Sequence, residues 1–251
     1  MSEVGRAAGE VIERHTTADG TELLLTRRGA ELEVSEGGKI VMSSDARRSE
    51  KSLAELGLAP LRRDDMTVLI AGLGMGFTLR AVLDMPGVVR VDVVEVSETI
   101  VEWNRKYFGA LNGNPLDDPR VHLHIGDLMG FLKQVRYTPL EDVKEGWLAF
   151  LLDVDNGPSL PSRAANAVIY SEEGLKRLEA ALRHGGVCAI WSAQRELEFL
   201  QVFNARFMNV AELAVPVEVG GVASLDYIYR GRRRPEPKSG TGNPPPGMAQ
   251  A

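Results

Sequence analysis

Apolar and polar positions follow two different rhythms along this chain. Between residues 21 and 43, short runs near 21–26, 30–34 and 39–43 are separated by Arg-Gly and Gly-Gly turns. This is the pattern of a small antiparallel meander. RRSEKSLAELGLAPL, Arg47 to Leu61, places Leu53, Leu56 and Leu58 as apolar anchors of an amphipathic helix. From Thr67 the rhythm changes to strand–helix alternation. It predicts strands at 67–72, 89–95, 121–125, 147–153 and 187–192. Helices fit near 76–84, 98–108, 127–135, 171–183 and 195–206. Continuous apolar runs such as LAFLLD suit a sheet covered on both faces. The fold class expected is therefore α/β, a doubly wound and mostly parallel sheet with a small N-terminal meander. Segments 210–219 and 223–230 read as a closing antiparallel pair. Residues 1–12 are small and polar and are expected to be loose. The tail, GRRRPEPKSGTGNPPPGMAQA, is rich in Pro and Gly and is expected to be disordered. The division expected is 1–57 for meander plus helix, 58–231 for the large domain and 232–251 for the tail.

Composition narrows the class. The chain has 251 residues, 44% hydrophobic and 25% charged, which suits a soluble globular protein with a full core. A net charge of -6 argues against a general nucleic-acid binder. The single cysteine, Cys188, forms no intrachain disulfide and fits a cytoplasmic setting. The N-terminus lacks an apolar segment of signal-peptide length, and no apolar run reaches a membrane span of about 18 residues.

The chemistry starts at LIAGLGMGFTLRAVL, Leu69 to Leu83. A strand breaks into Gly72, Gly74 and Gly76, and a helix follows. Ligands of open parallel sheets bind beyond the carboxyl ends of the strands. Glycine lets the backbone approach such a ligand without a side chain in the way. The dinucleotide fingerprint needs a glycine at position 77, where Phe77 stands. The observed G-x-G-x-G suits an adenosine ligand without a pyrophosphate, such as S-adenosylmethionine. Glu95 ends the next strand, where a carboxylate accepts both hydroxyls of a ribose. Val96 follows it. Asp127, after Gly126 and the third strand, is placed to accept from an adenine amino group, with the backbone of Leu128 near a ring nitrogen. Asp127 also suits a helix cap, and the two roles are compatible.

Taken in order, these motifs resemble those of the spermidine synthase family, the polyamine aminopropyltransferases. The family's GGGDGGTLRE is matched by GLGMGFTLRA, its VEID by VEVS, and its DPRV…GD block by Asp118 to Val121 with Gly126 and Asp127. Its DSSDP loop falls at Asp153-Val154-Asp155-Asn156-Gly157-Pro158. The resemblance covers roughly residues 20–230. It implies a Rossmann-like core that holds S-adenosylmethionine or its decarboxylated form, and a small-molecule acceptor. A homodimer is left open.

The chain departs from the family at three places. The loop aspartate that supports the amine of the decarboxylated cofactor is replaced by Met75, which gives an ammonium no strong acceptor. The family's Tyr-Gln pair falls at Glu50-Lys51, and the second aspartate of the strand-four loop has become Asn156. These changes favour intact S-adenosylmethionine, with Lys51 on its carboxylate, and methyl transfer. The alternatives are a divergent aminopropyltransferase and a non-catalytic binding or dimerisation protein. Asp153, at the end of strand four, is the first choice for the base or acceptor-positioning carboxylate, and Asp155 the second. His122 and His124 alternate on one strand without further ligands and read as packing or exposed residues. Arg232, Arg233 and Arg234 read as a solvated tail. Tyr170 and Trp191 are expected either in the core or at the acceptor.

Overall fold

A computed structural model describes residues 9–17, 20–45, 47–61, 63–137, 140–154, 156–161, 164–219 and 222–235. The first sheet is antiparallel, in the order β1 (Glu10–Thr16), β2 (Glu22–Arg28), β3 (Glu31–Glu36) and β4 (Lys39–Ser43). The last three strands match the meander expected from sequence, whereas β1 is not among the expected strands and its first three residues fall in the segment expected to be loose. Its sequence, EVIERHT, is largely exposed. Backbone pairing with β2 holds it, from Glu10 opposite Arg27 to Thr16 opposite Glu22. A polar edge strand of this kind leaves almost no apolar alternation to read.

The second sheet contains β5 (Met66–Ala71), β6 (Val88–Glu95), β7 (Val121–Ile125), β8 (Trp147–Leu152), β9 (Leu182–Ser192), β10 (Met208–Val219) and β11 (Val222–Arg232). Their spatial order is β10-β11-β9-β8-β5-β6-β7. The strands from β9 to β7 are parallel, while β11 and β10 close the sheet antiparallel. Every residue of β5 and of β8 is buried, which is why both read as unbroken apolar runs. The chain moves outward from β5 through β6 and β7, then returns to the other side of β5 as β8. The switch point therefore lies between β5 and β8.

Helix α1 (Arg47–Leu58) docks on this sheet. Its Leu53, Ala54 and Leu58 are wholly buried in one core with Val68, Ile70, Leu151 and Ala189. Gly57 makes that approach sterically feasible, since a Cβ there would lie 2.6 Å from Leu151 Cδ2. The other helices are α2 (Phe77–Leu83), α3 (Glu98–Trp103), α4 (Gly109–Asn112), α5 (Leu128–Tyr137), α6 (Glu172–Ala181) and α7 (Leu197–Arg206). The single helix expected over 98–108 is interrupted by a π-helical turn at Asn104–Phe108. There the Asn104 amide donates to the carbonyl of Ile100 at 2.9 Å and to that of Gly74 at 2.8 Å. A side chain bonded into the helical ladder is a recognised cause of such an irregularity.

The small sheet is fastened to the large one from behind the glycine turn. Leu23, Leu25, Leu32 and Val34 pack with Met75, Phe77, Ile100, Trp103 and Phe108. At the far end β11 continues to Arg232, whose guanidinium donates to the carbonyl of Pro60 at 2.7 Å. Arg233 donates to the carbonyl of Ala180 at 3.3 Å. These two arginines are therefore anchored to the body of the protein and do not begin a solvated tail. Residues 236–251, the rest of the expected tail, lie outside the described residues. No helix among the described residues is long and apolar enough to cross a membrane.

Candidate active site

The carboxyl ends of β7, β6, β5 and β8 are held level by hydrogen bonds that extend the ladder one step further. Gly126 N–H donates to the carbonyl of Glu95, Gly72 N–H to that of Val94, and Asp153 N–H to that of Ala71, each at 2.9 Å. Four of the residues singled out from sequence thus stand in one row at the edge of a cleft. That cleft has a volume of about 350 Å³, within the range of about 300–1,000 Å³ usual for small-molecule sites.

The glycine turn requires its glycines. Gly72, Gly74 and Gly76 have φ values of 88°, 52° and 84°, in the left-handed region. A Cβ on Gly72 would collide with the carbonyl of Asp153, and one on Gly76 would lie 2.9 Å from Asn104 Oδ1. The turn is braced from below. The Asn104 amide takes the Gly74 carbonyl, and the Asn112 amide takes that of Met75 at 2.8 Å.

Glu95 is 7% exposed and spans two turns. Its Oε2 accepts from Leu73 N–H at 2.9 Å and its Oε1 from Ser97 N–H at 2.8 Å. An ionised carboxylate offers about four acceptor positions, so this group braces the glycine turn and retains the chemistry to meet hydroxyls. Asp127 lines the cleft and caps α5, since its Oδ1 accepts from Gly130 N–H at 2.7 Å. Val96, Gly126 and Leu128 line the same region.

Across the cleft, Asp153 Oδ2 accepts from Thr78 Oγ1 at 3.2 Å. Burial pushes the Asp153 carboxyl up to about 6, helped by the charge of Asp226 and opposed by the Thr78 bond. Glu50, on α1, also faces the cleft. Its carboxyl is raised well above the ordinary range by burial and by the charge of Asp153, against the pull of Arg47. Behind Trp191, Asp226 accepts from the indole N–H at 3.3 Å and is raised by its own burial. Glu50 and Asp153 therefore both line the cleft, and the charge of Asp226 bears on Asp153 from outside the lining.

The structure separates the remaining candidates. Gly72, Gly74, Glu95, Val96, Gly126, Asp127, Leu128 and Asp153 line the cleft, whereas Met75, Gly76 and Lys51 do not. The Met75 side chain is wholly buried in the small-sheet core. Lys51 is exposed and pairs with Glu55 at 3.4 Å. Neighbouring helical positions point about 100° apart, so a helix that turns Glu50 into the cleft turns Lys51 out of it. Asp155 lies outside the described residues. Trp191 lines the cleft, while Tyr170 packs edge-on against Phe199. His124 Nε2 lies 2.7 Å from Asp92 Oδ1, and His122 is exposed. Among the described residues no group of three or more His, Cys, Asp or Glu is arranged to hold a metal ion. Glu50 is thus a cleft residue where the sequence points to its neighbour Lys51.

Comparison with known proteins decides the family. The Spermine/spermidine synthase domain matches residues 50–214, the segment that carries the glycine turn, Glu95, Asp127 and Asp153. The chain belongs to the spermine/spermidine synthase family. A polyamine aminopropyltransferase of Mycobacterium tuberculosis is 29% identical over 170 residues, covering 67% of this chain and 30% of that protein. Putrescine N-methyltransferase 2 of Nicotiana attenuata is 30% identical over 179 residues, covering 67% of this chain and 44% of that protein. The chain thus spans less than half the length of these curated relatives. A crystal structure of spermidine synthase in complex with the transition-state analogue AdoDATO superposes with a TM-score of 0.71 at 18% identity. That likeness covers 89% of this chain and 74% of the other. The spermidine synthase of Thermotoga maritima gives a TM-score of 0.70 at 18% identity, covering 89% and 73%. These two superpositions establish the spermidine synthase-like fold. Members of the family are transferases that use S-adenosylmethionine or its decarboxylated form and act on small-molecule amines.

Proposed function

We propose that the cleft binds an adenosyl sulfonium donor, with the ribose on Glu95 and the adenine beside Asp127 and Leu128, and transfers a carbon group from it to a small amine. The amine nitrogen attacks the carbon next to sulfur in line. The carbon–sulfur bond breaks, its electron pair stays on sulfur as a thioether, and the nitrogen sheds a proton. The protein supplies orientation and a proton acceptor. Asp153 takes that part. It stands at the end of β8, and a carboxyl pushed up to about 6 is better matched to receive a proton near neutrality than an ordinary aspartate. Asp155 is the second candidate.

The observation that carries the choice of donor is the charge of the lining. Glu36, Glu50, Glu95, Asp127 and Asp153 line the cleft, and no Lys or Arg does so among the described residues. A donor tail ending in an ammonium is at home there, whereas a tail carboxylate would meet like charge without a basic partner. The sequence reading favours intact S-adenosylmethionine on the strength of Met75 and Lys51, but Lys51 turns outward. The acidic lining supports the decarboxylated donor, and with it aminopropyl transfer. Methyl transfer from intact S-adenosylmethionine is the second reading, favoured by Met75 in the glycine turn. Calorimetric titration with both donors separates them. The decarboxylated form is expected to bind at least tenfold more tightly, and tighter binding of the intact form would reverse the assignment.

A further inference from the structure

Glu50 lines the cleft, and one oxygen of its carboxyl group is without a hydrogen-bond partner among the described residues. That oxygen, Oε2, is shut off from solvent. Its Oε1 stands 3.9 Å from where a Cβ on Gly74 would be, so the carboxylate hangs directly over the glycine turn. Neighbouring donors are engaged elsewhere. Arg47 donates through Nε to the carbonyl of Ser44 at 2.7 Å, and its guanidinium sits 5.0 Å above the Phe77 ring. Thr78 donates to Asp153 and approaches only the backbone carbonyl of Glu50, at 3.5 Å. A carboxylate oxygen buried without a donor is costly to keep, and an ammonium brings three donors. The glycine turn itself provides no acidic side chain, because Met75 points away into the small-sheet core.

We propose that Glu50 receives the ammonium group on the tail of the sulfonium donor, so that helix α1 provides the carboxylate that the glycine turn lacks. The proposal rests on the donor-binding reading above. It makes Glu50 a positioning residue that fixes the tail, and hence the angle of the sulfonium toward Asp153. It also gives Gly74 a second function, since a side chain there would crowd the tail against Glu50.

The test is calorimetry on wild type and Glu50→Gln with two nucleosides: decarboxylated S-adenosylmethionine, and 5′-methylthioadenosine, which has the same adenosine and sulfur but no ammonium. Glu50→Gln is expected to weaken the amine-bearing nucleoside by tenfold or more and to leave 5′-methylthioadenosine within twofold. Retained 5′-methylthioadenosine binding also shows that the variant is folded. Glu50→Asp, which keeps the charge but withdraws it by one methylene, is expected to fall between the two. Equal losses for both nucleosides, or no loss for either, overturns the role of Glu50 while leaving the donor-binding reading in place. If wild type binds neither nucleoside, that reading fails and the proposal fails with it.

Discussion

Thr78 Oγ1 donates to Asp153 Oδ2 at 3.2 Å, joining the first turn of α2 to the residue that follows β8. Among the described residues the bond favours the ionised form of Asp153, against burial and the charge of Asp226. Thr78→Val keeps the shape and removes the donor. It is expected to raise the Asp153 pKa further, so the rising limb of a pH–rate profile moves to higher pH. An unmoved limb would mean that Asp153 does not titrate in the reaction.

The shift of Asp153 also has a sign for stability. The group holds its proton up to about 6 in the folded protein against an ordinary value of 3.8. Between these values the folded state binds more protons than the unfolded one, so stability contributed by the protonated group is lost as pH rises through about 6. The unliganded protein is therefore expected to lose more thermal stability from pH 4 to pH 7 than Asp153→Asn does. Binding of a cationic amine should strengthen over the upper part of the same window, as the carboxylate forms beside Glu50 and Asp226. Parallel melting curves for the two proteins would contradict the assignment.

Glu95 acts on the glycine turn as well as on the ligand. Glu95→Ala removes charge-assisted bonds to Leu73 N–H and Ser97 N–H together with the expected ribose contacts. At about 1.5–3 kcal/mol for hydrogen bonds to a charged group, adenosyl ligands should bind roughly ten- to a hundredfold more weakly. Affinity equal to wild type would place the nucleoside elsewhere.

Asn112 supports the same turn through the backbone. Asn112→Leu leaves the buried carbonyl of Met75 without the donor it has at 2.8 Å. A loss of about 1–3 kcal/mol in unfolding free energy is expected, the range for an abandoned buried acceptor. Urea denaturation measures it directly, and a loss below about 0.5 kcal/mol would show that the turn holds its shape unaided.

The parts legible in the sequence are those set by burial on both faces or by backbone necessity. β5 and β8 are buried at every position, so their runs were plain. Gly72 and Gly76 were legible because no other residue tolerates their turn. What escaped depends on partners distant in the chain. β1 is fixed by its ladder with β2 and displays almost no apolar face. The π-helical turn depends on Asn104 reaching Gly74, 30 residues away. Whether Glu50 or Lys51 faces the cleft is decided by how Leu53, Ala54 and Leu58 seat α1 on the sheet. The pair was flagged from sequence, but only the docking of the helix selects between its members.

The central claim is that an adenosyl sulfonium donor gives up a carbon group to an amine in the cleft beside Asp153. Product analysis by mass spectrometry tests it most directly. The protein is incubated with putrescine and, in separate reactions, with decarboxylated or intact S-adenosylmethionine. The account predicts one 5′-methylthioadenosine released per aminopropylated amine from the decarboxylated donor. It also predicts turnover lowered by about a hundredfold or more in Asp153→Asn, the scale of a lost general base, with donor affinity within a few fold. Methylated putrescine from the intact donor would move the reaction to the second reading. Donor binding without thioether release from either donor, across a series of diamines, would contradict the account.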